Sequence, residues 1–367
     1  MGHLPIVNQS TVTDVIRNGF ASTRGNLKEE KNWVKTTADI FSDMLTNRKG
    51  DPIFPWIIKE KGHPGIGFKY IFTVAGPPLF VPGEEYPVKV PLERTGLEYP
   101  NALPEADALD LWDPKLLWNA IGKKSLGRGR SYTHQTPMED QRLRDLLDSR
   151  NPGGPKKITL GNASYKSVPL KIDPSQDSWD TTLKRHLKSL RDYDRLSSLD
   201  LTGVPWRSDD IFYAEKVLEA WIMENIDRPS GTKFRENVLE PNLEIEWFAN
   251  YLPFGVAGGN IDVVVVQSSR SRKVVMVIEL KVGKRSLKDF KADARQVNNY
   301  CKFITDAFNA YGERVEVKGV LISGPSRQLS GSEATEVLTS GVKWVIYDID
   351  DANRVNFKSA LADPIEP

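Results

Sequence analysis

The sequence predicts an α/β protein of the α+β kind in two parts: a C-terminal mixed β-sheet flanked by helices, and a less regular N-terminal α+β domain. Three observations carry this. Residues 260–266 (NIDVVVV) and 273–282 (KVVMVIELKV) are β-branched runs separated by a turn-forming QSSRSR, which predicts a hairpin. From residue 209 onward the patterns follow one another as α, β, β, β, α, β, α, β, an order that lays helices on a mixed sheet. At 367 residues the chain is also long for one compact core, so two domains are expected.

In chain order, a helical pattern over 27–45 leads to a strand at 68–76, stopped by Pro77 and Pro78. Residues 84–93 are held extended by prolines, and 107–124 read as a helical hairpin with Asp113 capping and Pro114 at a first helical position. A glycine-rich basic loop follows (127–135), then a helix begun by Thr136, Pro137 and Glu139. Residues 1–150 are read as one domain, 151–208 as a linker with a basic helix (TTLKRHLKSLRDYDRL), and 209–367 as the second domain. Within the latter the pattern predicts a helix over 209–226 capped by Ser208, a strand at 243–252 and the two hairpin strands. A long helix (287–308), a strand (315–324), a short helix (332–339) and a last strand (342–349) complete it.

Composition narrows the classes. The chain is 39% hydrophobic and 27% charged with a net charge of +1, so a nucleic-acid footprint would have to be local. One cysteine, Cys301, excludes an intrachain disulfide and points to a reducing, cytoplasmic setting. Four histidines and one cysteine argue against structural zinc. No apolar run has membrane-spanning length, the first residues lack a signal-peptide core, and the Met-Gly start lacks the Ser or Thr of a myristoylation signal.

The chemistry gathers on the hairpin. Along 273–282 alternation puts Val275, Val277, Glu279 and Lys281 on one face, so Glu279 and Lys281 are neighbours in an otherwise apolar strand. Asp262 intrudes in the same way just before VVVV, and the hairpin would bring it to the same end of the sheet. Two carboxylates and an ammonium in apolar surroundings are costly unless paired or bound to a cation, and oxygen ligands of this kind suit Mg²⁺.

Asp262, followed after sixteen residues by Glu279-Leu280-Lys281, resembles the core of the PD-(D/E)XK nuclease superfamily, most closely its RecB-type and NucS/EndoMS-type branches. The resemblance spans roughly 209–350; the proline of the name is absent, with Ile261 in its place. It implies a restriction-endonuclease-like fold and Mg²⁺, with Mn²⁺ able to substitute. Asp262, Glu279 and the main-chain carbonyl of Leu280 would hold the ion, and Lys281 would orient or activate the attacking water. The superfamily helix that completes the metal site corresponds to YAEKVLEAWIMEN, with Glu215 at the matching place. On a helical wheel Glu215 falls within the apolar arc of Ile211, Leu218, Ile222 and Ile226, Glu219 at its edge as the second candidate, and Glu224 on the opposite, water-facing side. QVNNY (296–300) matches the Gln-x-x-x-Tyr motif of RecB-type nucleases, in which Gln296 and Tyr300 would help position DNA or the metal-bound groups.

Lys284, Arg285, Lys288 and Lys291 continue from the site as a basic run suited to phosphates, though such runs are commonly only solvated faces. Arg128 and Arg130, with Ser131, sit on the glycine-bearing loop and could approach phosphates as readily as line a surface. KKSLGRGRSYTHQTPMEDQRLRDLL resembles the C-terminal portion of PUA/EVE-like modified-base readers. His134 reads as a surface loop residue with a general-base role as the alternative. Trp56, Trp112 and Trp118 read as packing residues. The expectation is a metal-dependent DNA endonuclease, without a GxxxxGK[ST] motif, acting on double-stranded or branched DNA and compatible with a homodimer. The alternatives are a non-catalytic nucleic-acid-binding or assembly protein of the same fold, or an RNA-directed nuclease.

Overall fold

A computed structural model describes residues 1–23, 41–59, 65–82, 84, 86–104, 107–108, 132–175, 207–254 and 259–361. The fold is α+β with mixed sheets and divides into two compact units, the first comprising residues 1–171 and 181–201 and the second 172–180 and 202–367. Predicted features at 27–40, 109–131 and 181–196, with Arg128, Arg130, Trp112 and Trp118 among them, lie outside the described residues.

The first unit runs β1 (Gly2–Val7), α1 (Gln9–Asn18), β2 (Phe20–Thr23), β3 (Pro52–Ile53), β4 (Trp56–Ile57), β5 (Gly67–Thr73) and β6 (Leu79–Phe80). It continues with β7 (Val88–Pro91), β8 (Thr95–Leu103), β9 (Tyr132–Gln135), α2 (Pro137–Arg150), β10 (Lys156–Thr159) and β11 (Val168–Pro169). The larger sheet is ordered β10-β8-β5-β3-β1-β4, with β9 on β1; the smaller is β11-β6-β7-β2. Helix α2 begins as its sequence predicts, with a capping box in which Thr136 and Glu139 satisfy each other's backbone N–H groups. Its Leu143 and Leu147 bury against Leu4, Phe54, Trp56 and Tyr99. Trp56 is thus core, as expected. Two readings are corrected. Residues 151–171 do not form a linker: Lys156–Thr159 pairs antiparallel with β8, completing the sheet edge. His134 is not a surface loop residue; β9 pairs with β1, setting it opposite His3, and buries it to 6% exposure. The glycines upstream masked a short extended run whose pairing with β1 decides its state.

The second unit runs β12 (Arg207–Ser208), β13 (Ile211–Phe212), α3 (Glu215–Asn225), a 3₁₀ turn (Pro229–Gly231), α4 (Thr232–Val238), β14 (Glu244–Phe254) and β15 (Gly259–Ser268). After these come β16 (Lys273–Lys281), α5 (Leu287–Ala310), β17 (Glu316–Ser323), α6 (Gly331–Thr339), β18 (Val342–Ile349) and β19 (Val355–Ser359). One six-stranded sheet follows sequence order from β14 to β19. Its inner pairs β16–β17 and β17–β18 are parallel, joined across α5 and α6; the others are antiparallel. Strands buried on both faces explain the unbroken apolar runs. Helix α5 covers one face through Phe290, Ala294 and Val297 against Leu321, Val342 and Trp344. It lies so close to β17 that a Cβ on Gly319 would sit 2.5 Å from Val297 Cγ1. The other face is closed by rings: Phe212 and Trp221 on Tyr347 and Phe357, and Phe234 on Phe357.

The predicted helix over 209–226 starts six residues late. Asp209 takes a left-handed φ of 53° in a turn that pairs β12 with β13, and Phe212 N–H donates to the Tyr347 hydroxyl at 3.2 Å. Ser208 is therefore a strand residue, and Ala214 precedes α3 without a side-chain cap. Glu224 is corrected too. It does not face water but is 5% exposed, accepting from Ile172 N at 2.5 Å and pairing with Arg228 at 2.9 Å. The wheel missed this because the covering residue lies far away in sequence.

One packing detail of the first unit generates a pH prediction. A Cβ on Gly2 would fall 1.8 Å from Asp140 Oδ1, so the Asp140 carboxyl fills the side-chain position of Gly2. Gln135 is opposite Gly2 across the β1–β9 pair, on the same face. Asp140 and Gln135 are both buried, and neither Asp140 Oδ1 nor Gln135 Oε1 has a hydrogen-bond partner among the described residues. Burial pushes the Asp140 carboxyl up to about 8, and that of Glu139 likewise to about 8. A folded-state value above the unfolded one means that this stability is present below the ordinary carboxylate range and is lost as pH rises through about 8. Thermal unfolding of the first unit should therefore fall in midpoint between pH 5 and 9. Asp140→Asn should flatten that slope and raise the midpoint at pH 9, by roughly 2–4 °C for each kcal/mol recovered.

Candidate active site

The β15–β16 hairpin sets the frame. Val263 pairs with Ile278 and Val264 with Val277, so the next step along the register brings Asp262 opposite Glu279 on one face, the face that α5 covers. The two carboxylates meet where the apolar runs end, as alternation predicts. Asp262 Oδ2 accepts from Leu280 N at 2.8 Å, and Glu279 Oε1 accepts from Lys281 Nζ at 2.6 Å. Glu279 is 3% exposed, and its other oxygen, Oε2, is buried with no partner among the described residues. Asp262 remains partly open to solvent.

The electrostatics follow from this crowding. Burial, then the charges of Glu279 and Glu219, lift the Asp262 carboxyl well above its ordinary range, against the pull of Lys216 and Leu280 N–H. Burial also raises Glu279; Lys281 opposes that rise, while Glu215 and Asp293 add to it. For Lys281 burial disfavours the charge, but Glu279, Glu215 and Asp262 outweigh it and the ammonium is held more firmly. Mutual influence of this kind brings Asp262, Glu279, Lys281, Glu215 and Glu219 into one electrostatic cluster.

Both candidate glutamates of α3 thus bear on the charges of the site, Glu215 on Glu279 and Lys281, and Glu219 on Asp262. Glu219 is the more constrained: 1% exposed, bound by Lys216 Nζ at 2.5 Å and by Asn250 Nδ2 at 2.7 Å. Gln296 Nε2 donates to Tyr300 Oη at 2.5 Å across one turn of α5. The Tyr300 hydroxyl, raised mainly by burial, also senses Glu279, Asp262 and Lys281, which places the Gln-Tyr pair beside the carboxylates.

The basic run divides. Arg285 pairs with Asp293 at 3.2 Å and Lys291 with Glu336 at 2.6 Å, whereas Lys284 and Lys288 are exposed and form no ion pair among the described residues. Lys216, Asn250 and Asp293 escaped the sequence reading. Lys216 carries a findable signal, its i,i+3 relation to Glu219 on the same helix. Asn250 carries none, since its role depends on strand β14 meeting α3.

The donor set fits a hard divalent cation. Carboxylates gathered against their mutual repulsion, one with a buried oxygen unpartnered among the described residues, supply the oxygen ligands such an ion takes. Asp262 and Glu279 would hold it with the Leu280 carbonyl, joined by Glu215 or Glu219. Among the described residues no three His, Cys, Asp or Glu side chains stand together in a ligating arrangement, and Glu279 and Glu219 are each paired with a lysine. No protein-family model matches the chain, and no curated protein matches it.

Two outcomes are expected. In EDTA at neutral pH, Asp262→Asn should be more stable than wild type, by about 1–3 kcal/mol, since it relieves a crowded charge while keeping an acceptor for Leu280 N–H. Mg²⁺ or Mn²⁺ at millimolar concentration should raise the wild-type melting temperature and leave that of Asp262→Asn nearly unchanged. Thermal shift assays with and without EDTA read both.

Proposed function

We propose that the second unit is a metal-dependent nuclease of the PD-(D/E)XK type, with a restriction-endonuclease-like sheet, that hydrolyses phosphodiester bonds in DNA. The observation that carries this reading is the meeting of Asp262 and Glu279, with Lys281 bonded to Glu279, at one end of a strand pair that is otherwise apolar. A bound Mg²⁺ or Mn²⁺ would supply Lewis acidity and lower the pKa of an attacking water. The protein's own groups account for the rest. Asp262 and Glu279 would hold the ion, and Lys281 would offset charge that develops on the phosphate oxygens. Gln296 and Tyr300 orient groups beside the carboxylates. Lys284 and Lys288, exposed where the chain leaves β16, can meet the phosphate backbone as it approaches.

A second reading draws on a specific observation. Glu279 and Glu219 already have lysine partners, an arrangement that a nucleic-acid-binding protein keeping this fold without catalysis could also use. Incubation with plasmid, single-stranded, branched and mismatched DNA, and with RNA, separates the readings. We expect DNA cleavage that needs Mg²⁺ or Mn²⁺, is stopped by EDTA, and falls at least about 100-fold in Glu279→Ala and Lys281→Ala. Cleavage without metal, or cleavage indifferent to both substitutions, would refute the assignment. Binding without cutting would establish the second reading.

A further inference from the structure

We infer that Lys216 is a built-in counter-cation of the candidate active site, holding Glu219 in the metal-free protein and releasing it when a divalent ion enters. This rests on the metal-site reading above. Lys216 Nζ lies 2.5 Å from Glu219 Oε2, with the two side chains 11% and 1% exposed, so this is not a surface helix pair held in water. Glu219 Oε1 is fixed independently by Asn250 Nδ2, and Asn250 is fully buried. The lysine is braced from the sheet side as well, since its ammonium stands 4.2 Å from the centre of the Tyr251 ring. Tyr251 has a left-handed φ of 52°, a costly conformation for a tyrosine, at the residue after Asn250. Adjacent residues of β14 thus hold both halves of the Lys216–Glu219 pair.

The charges explain why a cation belongs there. Among the described residues, and when all are ionised, the four carboxylates Asp262, Glu279, Glu219 and Glu215 stand against two ammonium groups, Lys281 and Lys216, while Asp293 is balanced by Arg285. Two negative charges remain, the charge of one divalent ion. Lys216 acts on Asp262 directly, so it repels an incoming ion while it stabilises the empty cluster. A lysine that only stiffened α3 would have no such effect on metal affinity.

The test titrates Mn²⁺, and then Mg²⁺, into the full-length protein by calorimetry. Lys216→Gln keeps a donor for Glu219 and removes the charge; it should bind Mn²⁺ about tenfold more tightly than wild type. Lys216→Arg should stay close to wild type, and Glu279→Ala should lose binding. Affinity in a folded Lys216→Gln protein that is equal to or weaker than wild type overturns the inference and leaves the metal site standing. Absence of Mn²⁺ binding by wild type overturns the metal site itself and the inference with it. Wild-type protein with ¹³C-methylated lysines provides a readout independent of the Gln variant's folding. Saturating Mg²⁺ should shift the Lys216 resonance, assigned by its loss in Lys216→Arg, and an unmoved resonance refutes the release.

Discussion

The repulsion between Asp262 and Glu279 is the constraint around which the second unit is organised. A hairpin of β-branched residues brings the two carboxyls to the same end and the same face of the sheet, Glu279 buried and Asp262 half-buried, and the surroundings are arranged to tolerate them. Lys281 answers Glu279 from the same face, Leu280 N–H answers Asp262, and Lys216 answers Glu219 from the neighbouring helix. Each buried carboxylate of the cluster thus has its own donor. A fold that only needed stability would bury valine at both places, as it does at Val264 and Val277.

Much of that arrangement was legible in the sequence, and the reason is periodicity. Alternation with a period of two assigns Glu279 and Lys281 to one face, and a short polar turn fixes which strand Asp262 must meet. The long amphipathic helix and the later strands were legible on the same grounds. Where neighbours far along the chain decide the outcome, the sequence was silent. Ile211 and Phe212 follow a helical stripe on paper but join a hairpin, because Tyr347 offers Phe212 N–H an acceptor and the Phe212 ring a stacking partner. Asn250 became part of the site only through the meeting of β14 with α3.

The first unit teaches the converse. Its sequence, rich in proline and turn formers, read as irregular, yet strands of two to nine residues assemble into two sheets, the larger covering a core of fully buried apolar side chains. Strands of two to four residues carry too few side chains for a period to register, so pairing rather than pattern defines them. The burial of His134 comes from this. Nothing local distinguishes it from a surface histidine, and only its pairing opposite His3 removes it from water.

The hydrogen bond from Ile172 N to Glu224 has a practical consequence for dissecting the molecule. Helix α3 relies on a backbone donor that precedes the unit's first strand by more than thirty residues of chain. A fragment begun at Arg207 would keep every strand of the six-stranded sheet and every candidate active-site residue, yet strip a buried carboxylate of its main-chain partner. The helix that presents Glu215 and Glu219 would then carry an internal defect, and loss of activity in such a fragment would report the cut rather than any dependence on the first unit.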